Sequence, residues 1–233
     1  MKKSLVLAVV ITIGTIVLGG NQAHADVAST AKSDGKIKFT TGDGVITAPV
    51  DPVNPDNPNP PSPIDPTDPL NPGTEQKGPL SVDYVSNFKF GEHQITGKNI
   101  AYKALNKDPF VQVTDTRGAG DGWSLSAKMT TFESSTNKIL KGATLAMKNS
   151  LVKAGSSTNI SVAPVKSDVL FDNQESQLVL NAKDKAGRGT WVNVWSGTDQ
   201  ANEAVQLNVL AGTPEANTEY TASITWELED APK

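Results

Sequence analysis

"YTASITWELED", residues 220–230, decides how the rest of the chain is read. Tyr220, Ala222, Ile224, Trp226 and Leu228 alternate with Thr221, Ser223, Thr225, Glu227 and Glu229. Successive side chains of a strand point to opposite faces, so this spacing gives one apolar and one wet face. "GWSLSA" (122–127) opens a second run of the same kind, with Trp123, Leu125, Ala127 and Met129 set against Ser124, Ser126, Lys128 and Thr130. Both runs contain Trp-x-Leu, and both place the tryptophan and leucine on the apolar face. Either these pairs fill a core between two sheets, or they sit at a sheet end and stack on a sugar or a partner. An indole suits both tasks.

Further strand-like runs lie at 82–90, 110–114, 143–147, 158–163, 177–182, 190–195 and 204–210, punctuated by Asn, Gly, Asp and Pro. No segment carries a long apolar stripe of period 3.6. Many short alternating strands between turn signals predict an all-β fold, an antiparallel β-sandwich, over residues 80–233. "GRGTWVNVW" (187–195) departs from the pattern, because Trp191, Asn193 and Trp195 share one face and Val192 and Val194 the other. Such a strand is either central and buried on both sides, or it leaves the tryptophan face open. Two open indoles flanking an amide would make a sugar platform.

The N-terminal third has a different organisation. Lys2 and Lys3, an apolar stretch from Leu5 to Leu18 and Ala23-His24-Ala25 read as a secretory signal peptide (1–25) cut before Asp26. A retained membrane anchor is the rival, but the apolar run is short and ends in a processing site. Residues 26–48 form a short polar segment with one strand-like stretch, Lys36-Ile37-Lys38-Phe39-Thr40. Residues 49–79 are a Pro/Asp/Asn-rich linker. Prolines at 49, 52, 55, 58 and 61, then at 63, 66, 69 and 72, match the three-residue turn of polyproline II. This predicts a semi-rigid spacer, roughly 75 Å long at ~3.1 Å per residue.

Charge and cysteine content narrow the function. The 233-residue chain has net charge −4 and no cysteine, and loss of Lys2 and Lys3 takes the charge to −6. Nucleic-acid binding, which needs clustered Lys and Arg, is not expected. No membrane span is expected after signal cleavage. With no cysteine there is no thiol nucleophile, no disulfide and no lipid-accepting thiol, and the C-terminus lacks a sorting motif of the LPxTG type. Retention on a cell would then be non-covalent. His93 is the one histidine beyond the signal region and lies in a short polar turn with no nucleophile motif nearby. The carboxylates Asp172, Glu175, Glu203 and Glu227 could supply a glycosidase pair only if folding brought two together; scattered acids on a wet β-surface are the plainer reading. Gly118-Ala119-Gly120-Asp121-Gly122 lacks the lysine of a phosphate loop. No cofactor or metal is expected.

Three stretches go beyond pattern: "PLSVDYVSNFKFGEHQI" (79–95), "VQVTDTRGAGDGWSLSA" (111–127) and "VQLNVLAGTPEANTEYTASITWELEDAP" (205–232). In order and spacing they resemble the WxL-domain cell-surface proteins of low-GC Gram-positive bacteria. The features that carry the resemblance are Tyr84, Phe88 and Phe90-Gly91; Asp115-Thr116-Arg117-Gly118 ahead of Gly122-Trp123; and Trp226-Glu227-Leu228 closing on Asp230-Ala231-Pro232. Glu227 and Glu229 depart from the neutral or hydroxyl residues expected there. The resemblance implies a secreted, non-catalytic protein bound non-covalently to the cell wall, with peptidoglycan or another cell-wall glycan as ligand. It also implies a membrane-anchored companion surface protein and a contribution to adhesion. Trp123, Leu125, Trp226 and Leu228 are its motif residues, whether structural or ligand-facing.

Overall fold

Twelve strands, and no helix among the described residues, confirm the all-β reading. The computed structural model describes residues 27–42 and 44–233, so the expected signal peptide lies outside it. The chain divides into two units, Met1–Lys38 and Phe39–Lys233. In the first, residues 27–38 have no regular structure and are exposed. The strand expected at 36–40 is not formed, and Ile37 and Phe39 are 81% and 83% exposed. Alternation creates a strand only where a neighbour supplies hydrogen bonds, and this stretch has none among the described residues.

In the second unit the strands form three antiparallel sheets. Sheet A runs β1 (Leu80–Val85), β3 (Phe110–Asp115), β10 (Gly189–Val194), β6 (Leu151–Ala154). Sheet B runs β2 (Ile100–Ala104), β11 (Asn202–Val209), β5 (Thr144–Met147), β8 (Val169–Phe171). Sheet C runs β12 (Ile224–Glu229), β4 (Trp123–Met129), β9 (Gln177–Ala182), β7 (Val165–Lys166). The expected strand 158–163 is instead a loop, held by a bridge from Val162 to Ala186 and by bonds of Asn159 and Ser161 to Arg188, with β7 following it. Its Ile160 is fully exposed, so the alternation there had no core to serve.

All three sheets turn their apolar faces into one core. Val111, Val113 and Trp191 come from sheet A, Leu145, Met147 and Leu207 from sheet B, and Trp123, Leu125 and Leu180 from sheet C. Each fully buried side chain of this size contributes ~1.5–3 kcal/mol relative to exposure.

Sheet A is also covered on its other face. A second cluster holds Tyr84, Phe110, Val192 and Val194, with Val50 and Ile64 of the Pro-rich stretch packed against it. The rings of Tyr84 and Phe110 stack at 4.3 Å. Polar anchors run along the same face. Gln112, fully buried, accepts from Val50 N (2.9 Å) and donates to Ala48 O (3.1 Å). Asn106 donates to Asp65 (2.7 Å), Asn71 to Val85 O (2.9 Å) and Lys153 to Val53 O (2.6 Å). The stretch expected as a semi-rigid spacer lies as an arm along sheet A. Proline periodicity sets the extended conformation but not whether a surface receives it. The receiving surface is the second apolar face of β10.

Beneath the arm, Asp83 is buried and accepts from Ser81 (2.6 Å), Gln112 (2.9 Å) and Thr114 (2.6 Å). Burial outweighs these bonds and raises its carboxyl above the usual range. A raised folded pKa means that protonation favours the fold. This contribution is full below the ordinary carboxylate pKa and is lost as pH rises through the elevated one. Asp83→Asn removes the titration, so the melting temperature of the variant minus that of the wild type should increase from roughly pH 4 to pH 7; a decrease would mean that the ionised form is the stabilising one.

The arm is testable separately. Limited proteolysis followed by N-terminal sequencing should leave a resistant fragment that begins ahead of Val50. Ile64→Asp, which places a charge against Tyr84 and Phe110, should open the arm to cutting within 49–72 while the strands stay intact. Equal cutting of wild type and variant would show that the arm is not held.

Candidate functional site

The two Trp-x-Leu motifs lie on neighbouring strands. β12 pairs antiparallel with β4, placing Trp226 opposite Ala127, Leu228 opposite Leu125 and Glu229 opposite Ser124. Their environments differ. Trp123 and Leu125 are fully buried, because β4 is an inner strand between β12 and β9. Trp226 and Leu228 are partly buried against the same core, because β12 is the edge of sheet C. The first motif is thus a core element, and the second alone retains some access to solvent.

Trp123 is also pinned. Its Nε1 donates to Gly187 O at 3.0 Å. Gly187 has φ 72°, and a Cβ there would stand 2.6 Å from Trp123 Nε1. Only glycine allows this approach. Next to it, Arg117 forms a two-pronged pair with Asp115 (Nε to Oδ1 3.0 Å; Nη2 to Oδ2 2.9 Å). The same guanidinium donates to Gly122 O (2.6 Å) and Asp230 O (3.3 Å). Ser124 Oγ donates to Ala231 O at 2.9 Å. The Asp-Thr-Arg-Gly turn and the Asp-Ala-Pro end therefore clasp the starts and ends of the Trp-x-Leu strands. The fold thus brings motifs that are distant in sequence to one place.

The other sequence candidates are placed as follows. Trp191 (4% exposed), Asn193 (0%) and Trp195 (0%) face the core from β10 and the residue after it. Of the two readings of this stretch, the structure has the strand buried on both sides, so the face a sugar would need is not presented. Trp191 Nε1 donates to Arg188 O (3.0 Å), while both amide atoms of Asn193 and Trp195 Nε1 have no hydrogen-bond partner among the described residues. Leaving these atoms unpaired costs on the order of 1–3 kcal/mol each, and nothing in the packing explains it. His93 is exposed, stacks on Tyr102 (4.2 Å) and meets Phe90 O through Nε2 at 2.6 Å. Glu203 pairs with Lys103 and Glu227 with Lys128, and Asp172 and Glu175 are exposed. Among the described residues, no group of three acids or histidines could hold a metal ion, and no helix is long and apolar enough to cross a membrane.

An all-β body with paired Trp-x-Leu strands, clasped by Asp-Thr-Arg-Gly, is the arrangement in which the motifs that carry the resemblance meet. A family comparison agrees: residues 26–232 match the WxL domain, described as surface cell wall-binding. The chain belongs to the WxL domain family and is a cell-surface, cell wall-associating protein. No curated protein and no solved structure matched it.

The unequal burial of the motifs makes a stability test. Trp123→Ala should cost about 3–5 kcal/mol, as truncations of large buried aromatics do. Trp226→Ala should cost clearly less, since part of its ring already meets water. Denaturant melts of the two variants check this, and equal losses would mean that β12 is covered in solution.

Proposed function

We propose that the chain is a non-catalytic surface protein held on the wall non-covalently, with peptidoglycan as its ligand and residues 80–233 as the attaching module. The family match over nearly the whole chain carries this reading. The chain supplies no thiol for a covalent link, and its acidic balance gives little Coulombic attraction to anionic wall polymers. Attachment then rests on hydrogen bonds and close packing, which salt does not screen away.

A second reading is favoured by one observation. Among the described residues the outer edge of β12 has no neighbouring strand, and Trp226 and Leu228 beside it are partly open. An unpaired edge flanked by apolar groups suits addition of a strand from another protein, here a membrane-anchored companion. Adhesion would then be a property of that assembly.

Mature protein mixed with isolated, protein-free peptidoglycan separates the two. The first reading expects retention through rising sodium chloride and release by guanidinium, which unfolds the sheets. The second expects no retention until the companion is added, and loss of companion binding in Trp226→Ala. Release by modest salt alone would instead point to Lys183, Lys185 and Arg188 gripping an anionic polymer.

A further inference from the structure

Outward-facing residues of sheet B carry a feature that no Trp-x-Leu residue takes part in. On the outer face of this sheet Gln206 stands opposite Ala146, and Ala146 opposite Leu170. Asn208 stands opposite Thr144 in the next row. Ala146 is short where its neighbours are long, so it forms the floor of a groove. The groove has a volume of about 580 Å³, within the ~300–1,000 Å³ usual for small-ligand sites.

Both walls of the groove are fixed. One is the turn Ser196–Thr198, held by Asn202, which is fully buried. Asn202 Nδ2 donates to Trp195 O (2.7 Å), Asn106 O (3.1 Å) and Lys107 O (3.1 Å), and its Oδ1 accepts from Ala204 N (2.8 Å). Gly197 packs so closely on Asn202 that a Cβ would stand 2.2 Å from Oδ1. The other wall is the Lys148–Asn149 turn. Lys148 N donates to Ala204 O (2.8 Å) and Asn149 N to Asp168 Oδ1 (2.9 Å). A groove built this way exists before its ligand arrives, so little ordering opposes binding.

Its lining indicates the ligand. Asn149, Gln206 and Asn208 bring side-chain amides, and Ser196 and Thr198 bring hydroxyls. Amides both donate and accept, and this suits ring hydroxyls and acetamido groups. The charged lining is Lys148 and Glu203, and Glu203 is already paired with Lys103, so the groove offers no cluster of like charge to an anionic or a cationic polymer. We propose that this groove on sheet B is the subsite for the glycan strand of the wall, an uncharged chain of N-acetylated sugars. The proposal rests on the peptidoglycan reading above and adds to it where the sugar sits. The buried tryptophans of β4 and β10 are then scaffold, and recognition is by amides and hydroxyls.

The test uses mature protein and chito-oligosaccharides, which are uncharged chains of β-1,4-linked N-acetylglucosamine. NMR titration should shift the backbone resonances of Ala146, Gln206 and Asn208, with the buried Trp191 and Trp123 indoles unmoved. Ala146→Trp fills the floor from the outer face and should weaken binding at least tenfold while leaving the core resonances in place. Gln206→Ala with Asn208→Ala removes the amides without adding bulk, which guards against a folding defect in the first variant, and should weaken binding at least fivefold. Wild-type retention on whole peptidoglycan is measured alongside. If wild type is retained and both variants bind as tightly as it does, or the shifts fall elsewhere, the groove is not the site and the peptidoglycan reading stands. If wild type is not retained and no shifts occur, that reading fails and the groove proposal fails with it.

Discussion

One guanidinium holds the ends of the strands together. Arg117 follows β3 of sheet A, and its side chain meets Asp115, the last residue of that strand. It also reaches Gly122, just before β4 of sheet C, and Asp230, just after β12. Asp115 is buried, so its charge needs this partner. Removing one member of such a pair costs ~3–5 kcal/mol, since the other is left charged in a poor solvent. Lysine could not replace it, because a single ammonium cannot make two parallel bonds to a carboxylate and still reach two carbonyls. The neighbouring backbone joins in: Thr41 Oγ1 donates to Arg117 O (3.3 Å) and Gly42 N to Thr116 O (3.0 Å). The lead into the Pro-rich arm is therefore tied to the same turn that joins two sheets.

How far the sequence foretold this depends on the element. β4 and β12 were legible because each has one clear apolar face, and period-two alternation reports that directly. Their pairing was not, since nothing local says that Leu125 should stand opposite Leu228. β10 was ambiguous for a physical reason. A strand with large apolar groups on both faces needs two covers, and the second is the Pro-rich arm, whose composition reads as solvated. The few apolar residues that dock it, Val50 and Ile64, are single side chains among prolines and acids and form no pattern. Residues 36–40 and 158–163 show the converse, as alternation without a neighbour to pair with or a core to fill. The groove on sheet B was invisible because it depends on one short side chain, Ala146, between longer ones on adjacent strands.

The two copies of the motif that names the family do different physical work. An inner strand must bury both members of its Trp-x-Leu, and β4 does so with an indole bonded to Gly187. An edge strand leaves its inward side chains half covered, and β12 does so with Glu227 and Glu229 on the outward face. Acids on an edge discourage chance pairing with other strands. Here each is neutralised, Glu227 by Lys128 and Glu229 by Lys233. Exposed pairs of this kind add little stability. Their consequence is local: they lower the net repulsion along the one edge of sheet C that keeps an open Trp-x-Leu.

Burying Trp123, Trp191 and Trp195 leaves Trp226 as the one tryptophan partly open, which limits the aromatic contact this domain can make. A surface contact that is not an aromatic stack is a hydrogen bond exchanged against water, with a net gain of ~0.5–1.5 kcal/mol. A single site of that kind is weak. The wall, however, is a repeating polymer, and a protein that rebinds along it, or is presented several times in one complex, gains effective concentration without any new contact. Attachment to a repeating polymer then needs no deep pocket. It needs a stiff, preformed surface, which the three sheets, the Arg117 clasp and the docked arm provide.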